Sequence, residues 1–174
     1  MTNNAIIATT ADGIDVYLHP QASHSHRPDL DVETIEKVRV DGRPFVRETV
    51  DLGRVIGVDH LVETTDADVV ISARRGNNDH PSNMVLGRKP IPTSKVSVVL
   101  CKCGPEDGED WNGKYVLITL FEGDLGMPEP VGRNAEDKDC VAFWKTHALV
   151  PTEEELEDFR KRSPELAELL AKYA

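Results

Sequence analysis

His147, Arg75, Arg88 and Thr119 are the side chains of this sequence whose chemistry combines most usefully. His147 closes the run Phe143-Trp144-Lys145-Thr146-His147, at the end of a helix expected from Asp137. The negative end of a helix dipole favours a protonated imidazole, which is a general acid; the plain alternative is a histidine that only caps the helix C-terminus. Arg74-Arg75 ends a β-prone run, and Arg88-Lys89 follows beyond a loop. Guanidinium forks at strand ends can hold phosphate through paired hydrogen bonds, or can be ordinary surface charge. Thr119 alternates with apolar neighbours, so its hydroxyl either satisfies a strand pair or, if it shares a concave surface with Arg75, donates to a phosphate oxygen. Trp144 reads more readily as core than as a stacking platform.

Two other clusters carry less. His19, His24 and His26 could hold a divalent metal, but no carboxylate lies between them and the segment reads as a solvated loop. Cys101 and Cys103 share one face of a strand. Without a second cysteine pair they read as strand thiols, and no metal or cofactor is expected. P-loop, G-x-G-x-x-G, H-E-x-x-H and G-x-S-x-G patterns are missing from the sequence, which removes the nucleotide-binding, dehydrogenase, zinc-protease and α/β-hydrolase classes that use them.

Positioning these groups falls to 174 residues, 39 % hydrophobic and 29 % charged, values of a globular chain. The formal net charge of −11 opposes non-specific nucleic-acid binding. Yet Arg74, Arg75, Arg88, Lys89, Lys95 and Lys102 face only Asp79 between positions 74 and 102, so a basic stretch sits inside an acidic chain. With no long apolar run, no basic-then-apolar start and an odd number of cysteines, a soluble cytoplasmic protein without a membrane partner is expected.

Residues 4–18 read as a strand pair around Ala11-Asp12-Gly13, and Asp31 to Val38 as either helix or strand. Val69 to Ala73 is a β-branched strand, and Arg74 to Asn83 reads as a loop. Lys95–Lys102 and Lys114–Phe121 form the clearest pair, a hairpin across a polar acidic loop. Asp137 to His147 has helical spacing. Thr152 with Glu155 makes a capping box, and Ser163-Pro164 caps a last helix buried through Leu166, Leu169 and Leu170. The expected fold class is α+β: a single domain, 1–174, with an antiparallel sheet and C-terminal helices. Its parts are N-terminal strands and loop over 1–64, core antiparallel strands over 65–122, and a helical part over 134–174.

Thr65-Asp66-Ala67-Asp68, Ala73-Arg74-Arg75, Gly87-Arg88-Lys89-Pro90, Tyr115 to Thr119, Pro128-Glu129-Pro130 and Phe143 to Leu149 resemble a pattern of bacterial proteins with no assigned activity. More loosely, their order is similar to the barnase–EndoU–colicin–RelE-like ribonucleases, many of them toxins. That resemblance implies metal-independent RNA cleavage, with Arg75 and Arg88 clamping phosphate, Thr119 on the sheet face and His147 as acid or base. Arg74, Lys89, Lys95 and Trp144 would then bind the substrate. The chain is far more acidic than such nucleases, and its first segment lacks a clean helix. The alternative is a non-catalytic acidic protein that binds a basic protein partner or mimics nucleic acid, through Glu106 to Asp110 and Glu153 to Asp158.

Overall fold

A computed structural model describes residues 5–18, 28–75, 81–130 and 135–173. The chain forms two compact units, each of two segments: residues 1–57 with 93–125, and 58–92 with 126–174. The α+β class and the C-terminal helices are as expected. Among the described residues no helix is long and apolar enough to cross a membrane.

The first unit is a five-stranded sheet. Strands β1 (Ile6–Thr9), β2 (Asp15–Leu18) and β3 (Phe45–Asp51) surround the hairpin of β9 (Lys95–Lys102) and β10 (Tyr115–Glu122), in the order β1-β2-β10-β9-β3. The hairpin is antiparallel as expected, but β2 lies parallel to β10. Helix α1 (Pro28–Ile35) settles the segment left open between helix and strand. Ile35, with Val38 and Val40 after it, packs on Val16, Val46, Val98, Leu100 and Leu117 of the sheet. At the opposite face Trp111 covers Val116 and Cys103, beside Tyr17 and Cys101. Burial raises the Cys103 thiol pKa, and Asp107 adds to the shift. A bulge leaves Ile118 unpaired between Leu117 and Thr119, so Thr119 faces Val99 on the side away from Leu100.

The second unit has four strands in the order β5-β11-β7-β6: β5 (Leu61–Glu63), β6 (Val69–Arg74), β7 (Pro81–Leu86) and β11 (His147–Leu149). β6 and β7 pair antiparallel, and β11 runs parallel to β7. The expected loop after Arg74 therefore ends at Pro81, where β7 begins. Helices α3 (Glu153–Arg162) and α4 (Pro164–Leu170) lie on one face, where Phe159 and Leu170 bury Met84 and Leu86. Val62, Val85, Ala148 and Val150 form a separate cluster. The caps are those expected: Thr152 and Glu155 exchange hydrogen bonds, and Ser163 Oγ accepts from Leu166 N–H. A short ribbon of β4 (Gly57–Asp59) and β8 (Ile91–Thr93) spans two of the three chain positions where the segments change unit.

In the first unit Asp12 ties the β1–β2 turn to the segment after α1. Its carboxylate accepts from Thr10 Oγ1 at 2.7 Å, Asp41 N–H at 2.9 Å and Val40 N–H at 3.2 Å. The Thr10 hydroxyl and these backbone donors pull its pKa down from 3.8 to about 2. A folded pKa below the unfolded one stabilises above the unfolded value and loses that stabilisation as pH falls through the folded one. Asp12→Ala should therefore lower Tm at neutral pH, with a gap to wild type that holds down to about pH 4 and closes towards about pH 2. Thermal melts across that range check it; a gap independent of pH would exclude the carboxylate as its source.

Candidate functional site

Thr119 and Lys95 belong to the first unit, and the other six expected site residues to the second. Lys95 Nζ lies 2.7 Å from Asp124. Arg75 follows the end of β6, and its Nε donates to Glu155 Oε1 at 2.6 Å. Arg88 follows the end of β7 and donates to both oxygens of Asp68, at 3.0 and 3.1 Å. The register runs from Val69 opposite Leu86 to Arg74 opposite Pro81, so the two arginines mark opposite ends of the hairpin. At about 3.3 Å per residue they are roughly 20 Å apart, too far to clamp one phosphate.

His147 does not end a helix. Helix α2 (Lys138–Trp144) stops three residues earlier, and His147 opens β11 opposite Glu63. The spacing that suggested a longer helix is real, because the His147 ring stacks on Phe143 at 3.9 Å and 7°. A turn makes that contact. Nδ1 lies 2.9 Å from the Phe143 carbonyl and 3.0 Å from Thr146 Oγ1, so that ring nitrogen is spent on the turn. Leu149 opposite Met84 sets His147 level with Ser82, towards Arg75 and away from Arg88. Strands β11 and β6 flank β7, about 10 Å apart. Trp144 is 7 % exposed and spends its indole N–H on the Pro128 carbonyl, so it is core rather than a stacking platform.

Arg88 and Lys89 do share a site. They line a cleft of about 430 Å³ at the end of β7. Its apolar lining comes from Val85, Leu86 and Val150 of the sheet region with Leu156 and Leu170 of the helices. Arg160 adds a third cation, Glu153 an acid and Tyr173 an aromatic ring. Gly87 turns the chain there with φ of 71°, a conformation that a side chain would strain. Lys89 and Arg160 have no ion-pair partner among the described residues, whereas Asp68 holds Arg88 in place. The Thr65 N–H lowers the Asp68 pKa against the cost of burial, and Arg88 lowers it further. Sequence reading reached Arg88 and Lys89 but missed Arg160 and Tyr173. Their signal was slight: a basic run at the end of a helix and one late tyrosine.

His19, His24 and His26 lie outside the described residues. Among the described residues no three His, Cys, Asp or Glu side chains gather as a metal site. Three of the five acids of α3 are matched: Glu155 with Arg75, Glu157 with Lys161 and Asp158 with Arg162. Burial raises the Glu155 pKa, but the Thr152 N–H and Arg75 outweigh it and leave it low.

No protein-family model and no curated protein matches the chain. Among solved structures it is similar to a conserved hypothetical protein from Toxoplasma gondii ME49, at 13% identity and a TM-score of 0.45, over 79% of this chain and 94% of that one.

Glu155 serves both the cap of α3 and Arg75. Thr152→Ala should cost about 1 kcal/mol in urea denaturation. With Arg75→Ala added, the total loss should differ from the sum of the two single losses, because both act on one carboxylate. Strict additivity would show that the two contacts are independent.

Proposed function

We propose that this protein binds a small organic anion carrying an apolar group, in the cleft of its second unit. One observation carries this reading: Lys89 and Arg160, unpaired among the described residues, stand over an apolar lining in a chain of net charge −11. An acidic protein gains nothing for its fold by setting unpaired cations around a cleft, whereas an anionic ligand would balance them. About 430 Å³ is within the usual range for small-molecule sites. The ligand's carboxylate, sulfonate or phosphate would meet Lys89 and Arg160, and its apolar part would displace water from Leu86, Leu156 and Leu170.

Ribonuclease activity draws less support. Its acid, cations and hydroxyl come from both units, and Arg75 and Arg88 stand at opposite ends of one hairpin. A basic protein partner would favour the loop Glu106 to Asp110, since three of the five α3 acids, Glu155, Glu157 and Asp158, are already paired.

Fluorescence titration with anilinonaphthalene sulfonate, an anion with an aromatic body, tests the binding reading. The wild type should bind it saturably, with dodecyl phosphate competing better than inorganic phosphate. Lys89→Glu combined with Arg160→Glu should weaken binding by about tenfold or more. Equal affinity in wild type and the double variant would sink the reading. Metal-independent cleavage of an RNA oligonucleotide, lost in His147→Ala, would replace it with the nuclease.

A further inference from the structure

Helix α3 gives the cleft an order of charges along one wall. Glu153, Leu156 and Arg160 all line it. Helix positions three, four and seven apart share a face, so the three residues form one row: an acid, an apolar residue and a cation. Seven residues at about 1.5 Å each place Glu153 and Arg160 roughly 10 Å apart along the axis. Neither has an ion-pair partner among the described residues, whereas Glu155, Glu157 and Asp158 elsewhere on α3 are all paired. Leu156, between the two charges, continues into the apolar lining of Leu86 and Leu170. The helix dipole explains an acid in the first turn. It does not explain an unpaired acid on the cleft face, because Glu155 already caps the helix and Glu154 stands in the same turn outside the lining.

We propose that the cleft takes a dipolar ligand, with an ammonium group at Glu153, an anionic group at Arg160 and an apolar chain between them. This rests on the anion-binding reading above and adds to it a second charge and a length. Asp68 neutralises Arg88, which leaves Lys89 and Arg160 positive and Glu153 negative. A plain organic anion with its head at Arg160 matches the cations, but its apolar tail then runs towards a carboxylate and covers it without a partner. An ammonium at the end of that tail removes the mismatch and keeps the apolar contacts with Leu86, Leu156 and Leu170. Glu153 is exposed, so the ammonium stays in reach of water at the mouth of the cleft. An extended chain of eight carbons, at about 1.5 Å per bond, covers roughly the distance between the two charged residues.

Displacement of bound anilinonaphthalene sulfonate from the full chain by octanoate and by 8-aminooctanoate tests the proposal. A cleft with cations alone ranks octanoate first, since ammonium in place of the terminal methyl loses apolar contact. The dipolar cleft reverses that order. 8-Aminooctanoate should displace the dye at about a third of the octanoate concentration, the small factor that a water-exposed ion pair supplies. Glu153→Gln should raise the 8-aminooctanoate requirement about threefold and lower that of octanoate, restoring the apolar order. Glu154→Gln removes the same charge from the same turn outside the cleft, and should keep the wild-type order. Octanoate ahead in the wild type, with the dye still bound, would overturn the dipolar assignment and leave the anion site standing. A Glu154→Gln variant that shifts the order as far as Glu153→Gln would also overturn it, by tracing the preference to the general charge of the chain. A wild type that binds no dye would remove the anion site and this proposal together.

Discussion

The apolar layer that Met84 and Leu86 share with Phe159 and Leu170 is the interaction on which the second unit depends. Burying four such side chains is worth several kcal/mol, at roughly 1.5–3 kcal/mol each. It also fixes α3 and α4 over β6 and β7. Once those helices are fixed, Glu155 reaches Arg75, Arg160 comes to the cleft, and Leu156 and Leu170 complete its lining. The cleft thus forms between these helices and the end of β7. Its cations come from elements far apart in sequence: Arg88 and Lys89 after β7, and Arg160 on α3.

Electrostatics divides the basic residues into two kinds. Arg75, Arg88 and Lys95 are matched by Glu155, Asp68 and Asp124, and those pairs hold elements in place. Lys89, Arg74 and Arg160 have no ion-pair partner among the described residues, and each lies at a cleft, an edge strand or a groove. Exposed ion pairs contribute little to stability, so the matched set matters mainly for orientation. The unmatched set is where an external anion or a second acidic surface would find a partner.

Local signals were legible in the sequence and distant ones were not. The caps at Thr152 and Ser163 are decided within four residues, and the β9–β10 hairpin by two apolar runs around one polar loop. β7 begins Pro81-Ser82-Asn83, poor strand formers, and is held by its neighbours β6 and β11 rather than by propensity. His147 misled because a histidine four residues after a phenylalanine is the mark of a helix face; here a turn brings the rings together before the chain enters β11. The cleft was half visible. Arg88-Lys89 stood out as a charged pair, but Arg160 became relevant only once α3 was placed along the same cleft.

The exchange of segments between the units constrains how the chain is made. β2 and β3 are synthesised early, yet their sheet partners β10 and β9 begin at residues 115 and 95. Until that hairpin leaves the ribosome, Val16 and Val46 have no sheet to join. The second unit is begun and left unfinished in the interval, and gains its helices last. Such long sequence separation makes for slow folding, with both halves waiting on later chain. A stop anywhere before residue 126 would leave each of the first three segments without a finished neighbour or only just provided with one, so truncation is a poor way to isolate either unit. Joining residues 1–57 directly to 93–125 through a short linker would restore one sheet in continuous sequence.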